Sequence, residues 1–307
     1  MQSTIKRSVA FEGVGLHSGR PARMTIAPAG ADRGIWFRRT DIADPAAAHI
    51  AASWTSAVPS PLCTRLRNEA GTEISTVEHV LAALAGCGVR NAVIEVNGPE
   101  VPILDGSSRP FVAAIVEAGL RSLGVPDRAI EILKPVEVRR GDAMARLEPS
   151  DSFRIDFSIE FEDAAIGAQA KSLDLSNGAF VRELCDSRTF CRRADVEAMR
   201  AAGLALGGTY DNAVVVDGAS VLSPGGLRHA DEAVRHKMLD ALGDLSLAGA
   251  PIIGLYTGRR AGHALTGALL DALFADRGAW RMVTCDGPRA ARLPGAGVKA
   301  LDLRATA

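Results

Sequence analysis

His236-Lys-Met-Leu-Asp240 sets an imidazole and a carboxylate four residues apart in a stretch of helical periodicity. Both side chains therefore project from one face, about one turn apart, which is a metal-ligand spacing. Far upstream, Glu78-His79 opens a second apolar helical stretch. Together the segments offer two imidazoles, an aspartate and a spare glutamate. Zinc hydrolases use this inventory: three protein ligands leave a fourth position for water, and a carboxylate off the metal takes the proton. A solvated helix with scattered polar groups has the same local pattern, so the surrounding residues have to decide.

Asp244 extends the stripe of His236 and Asp240 along a helix otherwise built from Met238, Leu239, Ala241, Leu242 and Leu245. Three polar groups in line on such a face are costly to bury without partners. One reading is a surface stripe. The other has Asp240 on a metal and Asp244 orienting a further group, for which His263, at the start of another helix, is the candidate. Glu78 has a structural alternative: Ser75-Thr-Val-Glu78 has the form of a capping box, with Ser75 and Glu78 satisfying each other's amides. Gly13-Val-Gly-Leu-His-Ser-Gly19 looks like a phosphate loop but lacks a Gly-Lys-Ser/Thr ending and opens no helix, so a tight strand connection is expected. The basic clusters Arg188-Thr-Phe-Cys-Arg192-Arg193 and Gly258-Arg259-Arg260 are the natural partners for a diphosphate in a chain without a general positive field.

That absence of field follows from 35 Lys plus Arg against 36 Asp plus Glu, which excludes nucleic acid and allows at most peripheral membrane contact. With 307 residues, 47% of them hydrophobic, the chain can build two cored domains. Five cysteines in an odd set without C-x-x-C suggest neither a disulfide framework nor a thiolate zinc knuckle. With no apolar leader and no run of about 18 apolar residues, a cytoplasmic protein is expected.

The elements that must position these residues come in two similar series. Alternating strands are expected over 4–38, a helix over 75–85, the buried strand Ala92-Val-Ile-Glu-Val and a helix over 110–120 capped by Ser107 or Ser108. After a linker at 123–127 come strands over 130–161, helical stretches at 181–184 and 194–202, a helix over 233–247 and a strand from Ile252. A shift of 157 residues superposes His79 on His236 and Gly86 on Gly243. The fold expected is α+β: two similar layered sheet-and-helix domains, 1–125 and 128–285, with the active site between them and a peripheral tail over 286–307.

In order and nearly end to end, these motifs resemble one family, the UDP-3-O-acyl-N-acetylglucosamine deacetylases, zinc amidases of lipid A biosynthesis. The resemblance runs through Ser75-Thr-Val-Glu-His79, Pro102-Ile-Leu-Asp-Gly-Ser107, Ser187-Arg-Thr-Phe190, Gly203-Leu-Ala-Leu-Gly-Gly208, Val234-Arg-His-Lys-Met-Leu-Asp240 and Gly262-His-Ala-Leu265, covering about residues 4 to 275. It implies one Zn2+ per chain on His79, His236 and Asp240, with Glu78 as general base. It implies that His263 stabilises charge and protonates the leaving amine beside Asp244, and that Thr189 lies near the oxyanion. Lys237, Phe190 and Arg260 would touch a UDP-acyl-glucosamine substrate, and the segment 194–212 would line a passage for its acyl chain. The sequence departs from the family pattern at Thr266, Arg228-His229-Ala230, Cys191-Arg192 and Glu162-Asp163-Ala164, none of them a proposed ligand. The alternatives are a zinc amidase on another nucleotide sugar and a non-catalytic sugar-nucleotide binder whose zinc only joins the halves. A structural zinc site wants four protein ligands, and only three good candidates are present. Cys63 is the residue that could still approach the site in space.

Overall fold

A computed structural model describes residues 1–60 and 62–306, the last three without their side chains. Two sheets carry the chain. In the first half the strand order is Val9–Val14, Pro21–Pro28, Ala92–Val96, Ile35–Arg39, His49–Ala51. In the second it is Val136–Arg140, Ala143–Glu148, Ile252–Arg259, Phe153–Glu160, Ala168–Asp174, with Arg128–Ile132 and Trp280–Thr284 added alongside. The two orders are the same, and in each the only parallel pair among those five strands is the third with the fourth. The similarity suggested by the 157-residue shift is therefore one of topology as well as sequence.

In each half the third strand in the sheet is preceded by a helix, Glu78–Gly86 or Glu232–Leu245, and followed by another, Arg109–Ala118 or His263–Ala275. Apolar residues all round the Glu78 helix, among them Val80, Leu81, Ala83 and Leu84, leave it no polar face for solvent, and it is buried. It lies against the Glu232 helix, which packs on the strand Phe153–Glu160. One apolar core runs through both helices and reaches both sheets, from Ile26, Phe37 and Ile94 to Phe153, Ile155 and Tyr256. The order of layers is sheet, helices, sheet, as the α+β expectation requires.

The helix pair can approach closely because Gly243 presents bare backbone to the carbonyl of Glu78, where a Cβ would lie 2.2 Å from the oxygen. This contact brings the N-terminal end of one helix against the last turn of the other. Two small sheets are inserted where the halves correspond. Ala57–Val58, Arg65–Arg67 and Glu73–Ser75 form one, and Phe190–Arg192, Val214–Asp217 and Ser220–Val221 the other. Both flank the helix pair.

Several local expectations change. The helix expected from Ser75 begins at Glu78, and Ser75 closes a strand instead of capping: its amide and hydroxyl both donate to the Pro99 carbonyl, at 2.9 and 3.1 Å. The turn into the helix is made by Thr76 at φ +58, an uncommon region for a β-branched residue, with its hydroxyl donating to Glu100. Of the two serines before the Arg109 helix, Ser107 accepts from the Arg109 amide at 3.2 Å, whereas the Ser108 hydroxyl donates to the His79 carbonyl at 2.8 Å and caps nothing. The Gly13–Gly19 segment is the expected strand connection; the His17 and Ser18 amides hold the Glu100 carboxylate, which fills the place of an anion. The tail lies outside the sheets but is tied down, with Leu293 buried and the Pro294 carbonyl accepting from Arg90. Ala307, the last residue of that tail, lies outside the described residues.

Candidate active site

The close helix contact sets His79, at the start of one helix, opposite His236 and Asp240, one turn apart on the other. Their ligand atoms all lie within 4.8 Å of one another. Asp240 Oδ1 is 3.3 Å from His236 Nε2 and 3.7 Å from His79 Nε2, and the two imidazole rings meet edge to face with centroids 5.0 Å apart. The donor set fits zinc: two imidazoles and one carboxylate, buried together. Burial holds His79 well below the usual imidazole range, at about 3, and lowers His236 as well, so both rings keep the lone pair a ligand needs. Burial by itself would raise Asp240, but the positive charges beside it, the Lys237 ammonium and cationic His263, outweigh it and keep the group a carboxylate. His236 Nδ1–H donates to the Ser187 carbonyl at 3.0 Å, which turns Nε2 inward. No partner for His79 Nδ1 occurs among the described residues.

Glu78 is 3% exposed, and burial pushes its carboxyl up to about 8. Such a group is matched to taking a proton near neutrality. Its Oε2 accepts from the Thr64 amide at 3.0 Å and its Oε1 lies 3.8 Å from His263 Nε2. His263, first residue of its helix, directs Nδ1 to Asp244 Oδ2 at 2.9 Å. Burial would lower this imidazole, but the carboxylates of Asp244 and Glu78 outweigh it and raise it to about 10. The polar stripe of the sequence is thus an internal chain: Asp240 in the ligand cluster, Asp244 on the imidazole.

A cleft of about 350 Å³ opens beside this group, lined by Thr189, Phe190, His236, Lys237, Asp240, Arg260 and His263. Thr189 is held by its backbone, donating to the Gly106 carbonyl and accepting from Val214. The Phe190 ring faces His236 edge-on at 6.3 Å. Lys237 Nζ donates to Asp240 Oδ2 at 2.9 Å, and although burial disfavours its charge, Asp240 raises it. Arg260 pairs with Glu160 at the rim.

The basic clusters divide. Arg188 is buried and paired with Glu232 at 2.9 Å, Arg192 pairs with Asp163 and Arg193 with Asp217, so these arginines are occupied and Arg188 is closed to a diphosphate. The segment 194–212 does not line the cleft: the helix Arg193–Ala201 buries none of its residues, Val196, Met199 and Leu204 are half-buried, and Leu206 is 53% exposed. Leu206 and Gly207 donate to the carbonyls of His17 and Leu16, clasping this segment to the first half.

Sequence reasoning missed three contributors. Thr64 sits between Glu78 and Asp244 and is announced by nothing but its place after Cys63. The Arg188–Glu232 pair reads as two surface charges until both prove buried. Ser187 acts through a carbonyl, which any residue type possesses. Cys63 is buried next to the site but outside the three-residue ligand cluster, and lines a second opening with Thr64, Asp244 and His263.

Residues 2–275 match the family model described as UDP-3-O-acyl N-acetylglycosamine deacetylase. The chain belongs to that family. Among curated relatives named UDP-3-O-acyl-N-acetylglucosamine deacetylase, one from Phenylobacterium zucineum is 50% identical over 92% of this chain and 96% of its own length. One from an Anaeromyxobacter species is 48% identical over 95% of each chain, and one from Pasteurella multocida 44% identical over 94% of this chain and 95% of its own. For this deacetylase family member no helix among the described residues is long and apolar enough to cross a membrane.

Proposed function

We propose that this chain hydrolyses the acetamide of UDP-3-O-acyl-N-acetylglucosamine, releasing acetate and the free amine, an early committed step of lipid A biosynthesis, in the cytoplasm. The observation that carries the reading is the buried His79, His236, Asp240 cluster with Glu78 and the Asp244–His263 pair beside it, in a chain of the deacetylase family. One Zn2+ held by those three residues would supply Lewis acidity and an acidified water.

The chain's own groups then have separable tasks. Glu78 removes the proton as water attacks the acetamide carbonyl. The oxyanion that develops is met by the Thr189 hydroxyl and by cationic His263, donors aimed in advance where charge appears. His263 delivers its Nε2 proton to the departing amine and is recharged through solvent. Lys237 and Arg260 would meet the diphosphate or sugar, Phe190 would pack on the substrate, and 194–212 would take the acyl chain. This last assignment is supported by the apolar residues that segment leaves accessible, the half-buried Val196, Met199 and Leu204 and the exposed Leu206. A structural zinc joining the halves would need a fourth protein ligand, and the cluster has three.

The deciding experiment measures acetate released from UDP-3-O-acyl-N-acetylglucosamine by purified protein, before and after chelation and after zinc is restored. Release that stops on chelation and returns with zinc is expected. A folded, zinc-loaded protein that released no acetate would leave an amidase acting on a different nucleotide sugar.

A further inference from the structure

Thr64 is 7% exposed, in the loop between the strands Ala57–Val58 and Arg65–Arg67, and has no task in the mechanism above. Every polar group it has is spent on the reacting machinery. Its amide donates to Glu78 Oε2 at 3.0 Å, and its carbonyl accepts from the amide of Val77 at the mouth of the Glu78 helix, at 3.4 Å. Its hydroxyl donates to Asp244 Oδ1, and the same oxygen is 3.2 Å from His263 Nδ1. Asp244 thereby has both oxygens engaged, Oδ1 by the threonine and Oδ2 by the imidazole. With two partners in fixed places the carboxylate cannot rotate about its last bond. All the acceptors offered to His263 Nδ1–H lie on that side, so Nε2 is turned into the cleft, toward Glu78 and Asp240, 3.8 and 3.9 Å away.

We infer that Thr64 is a positioning residue for the reaction, its amide aiming the general base and its hydroxyl locking Asp244 so that His263 presents Nε2 to the leaving amine. The inference rests on the deacetylase reading. A threonine suits the task better than a serine because its branched Cβ restricts χ1, so the hydroxyl is pre-aimed. One residue in this loop thus joins three helices, those beginning at Glu78, Glu232 and His263. The groups it joins are the base and the acid of one reaction.

Thr64→Val keeps the shape and both backbone contacts and removes only the hydroxyl. Loss of a supporting hydrogen bond of this kind should lower kcat by about 10–100-fold, with KM and zinc content unchanged. Thr64→Ser restores the hydroxyl and should recover most of the loss. In a His263→Gln background Thr64→Val should cost nothing further, since the group it aims is gone. Independently of turnover, the His263 Nδ1–H proton, shared with Asp244, should give a protected low-field resonance in metal-free wild type and in Thr64→Ser, and lose that protection in Thr64→Val. Normal turnover in Thr64→Val, an equal loss in Thr64→Ser, or a proton resonance indifferent to the valine would each overturn the inference. If wild type itself releases no acetate, the deacetylase reading fails and the proton resonance alone decides the role of Thr64.

Discussion

Replacing Gly243 with Ala separates what a helix prefers from what this pair of helices allows. In an isolated helix the exchange stabilises by about 1 kcal/mol, because alanine loses less backbone entropy. Here the new Cβ would stand 2.2 Å from the Glu78 carbonyl oxygen and 2.9 Å from its carbon. The obstacle is backbone, which has no rotamer through which to yield. Relief therefore requires the two helices to part by about 1 Å at the contact. Overpacking of this kind costs about 1–3 kcal/mol, and with the propensity gain subtracted a net loss of up to about 2 kcal/mol remains. Catalysis should suffer more. Glu78 and His79 ride on one helix and His236, Asp240 and Asp244 on the other, so the separation opens the ligand triangle itself. A displacement of about 1 Å is worth about 10² in rate. Gly267→Ala provides the internal control: it lies within the His263 helix with nothing within 4 Å of its added Cβ, and should stabilise by about 1 kcal/mol without changing turnover. Thermal unfolding, bound zinc per chain and acetate release are measured for both variants. A Gly243→Ala protein as stable as wild type, with its zinc and turnover intact, would refute the argument that this glycine sets the spacing of the site.

Four further outcomes are expected. Asp240→Ala should purify with little zinc, since it removes the one carboxylate of the ligand cluster; metal analysis showing wild-type content would take Asp240 out of the site. Glu78→Gln should cost about 10²–10⁴ in kcat without loss of stability, because no capping box depends on Glu78 and a Gln oxygen can still accept from the Thr64 amide; near-normal turnover would move the base elsewhere. In metal-free protein, His263 is raised from 6.5 to about 10, so the folded form binds its proton more tightly and the associated stability, full below pH 6.5, is lost as pH rises through 10. Glu78, raised to about 8, acts in the same direction up to that pH, so the unfolding temperature should decline over this alkaline range and His263→Gln should flatten the decline; equal slopes in both proteins would count against the assignment. Arg188→Met leaves Glu232 buried at 1% exposure without its cation and should destabilise by about 3–5 kcal/mol, read by denaturant unfolding; a loss under about 1 kcal/mol would mean that the amides of Arg188 and Arg228 suffice.

Much of the site was legible because helical geometry is local. Four-residue spacing forces His236, Asp240 and Asp244 onto one face wherever that helix lies, and apolar neighbours on every side of Glu78-His79 forecast a buried helix start. The repeat of helix and strand likewise pointed to two similar sheets. What the residues could not say was which polar groups would meet across the fold. Ser75 and Glu78 have the spacing of a capping box, but strand pairing claims the Ser75 amide for Pro99, and the Glu78 carboxylate takes the amide of Thr64. Arg188 and Glu232, separated by 44 residues, become one buried pair only when the Thr189 loop closes on the start of the Glu232 helix. Thr64 reaches Asp244 across 180 residues. Local periodicity is set by bonds along the chain, and so it can be read from the chain. The distance between Glu78 and its distant partners depends on how closely two helices pack, and here that closeness is set by a glycine with no side chain to advertise it.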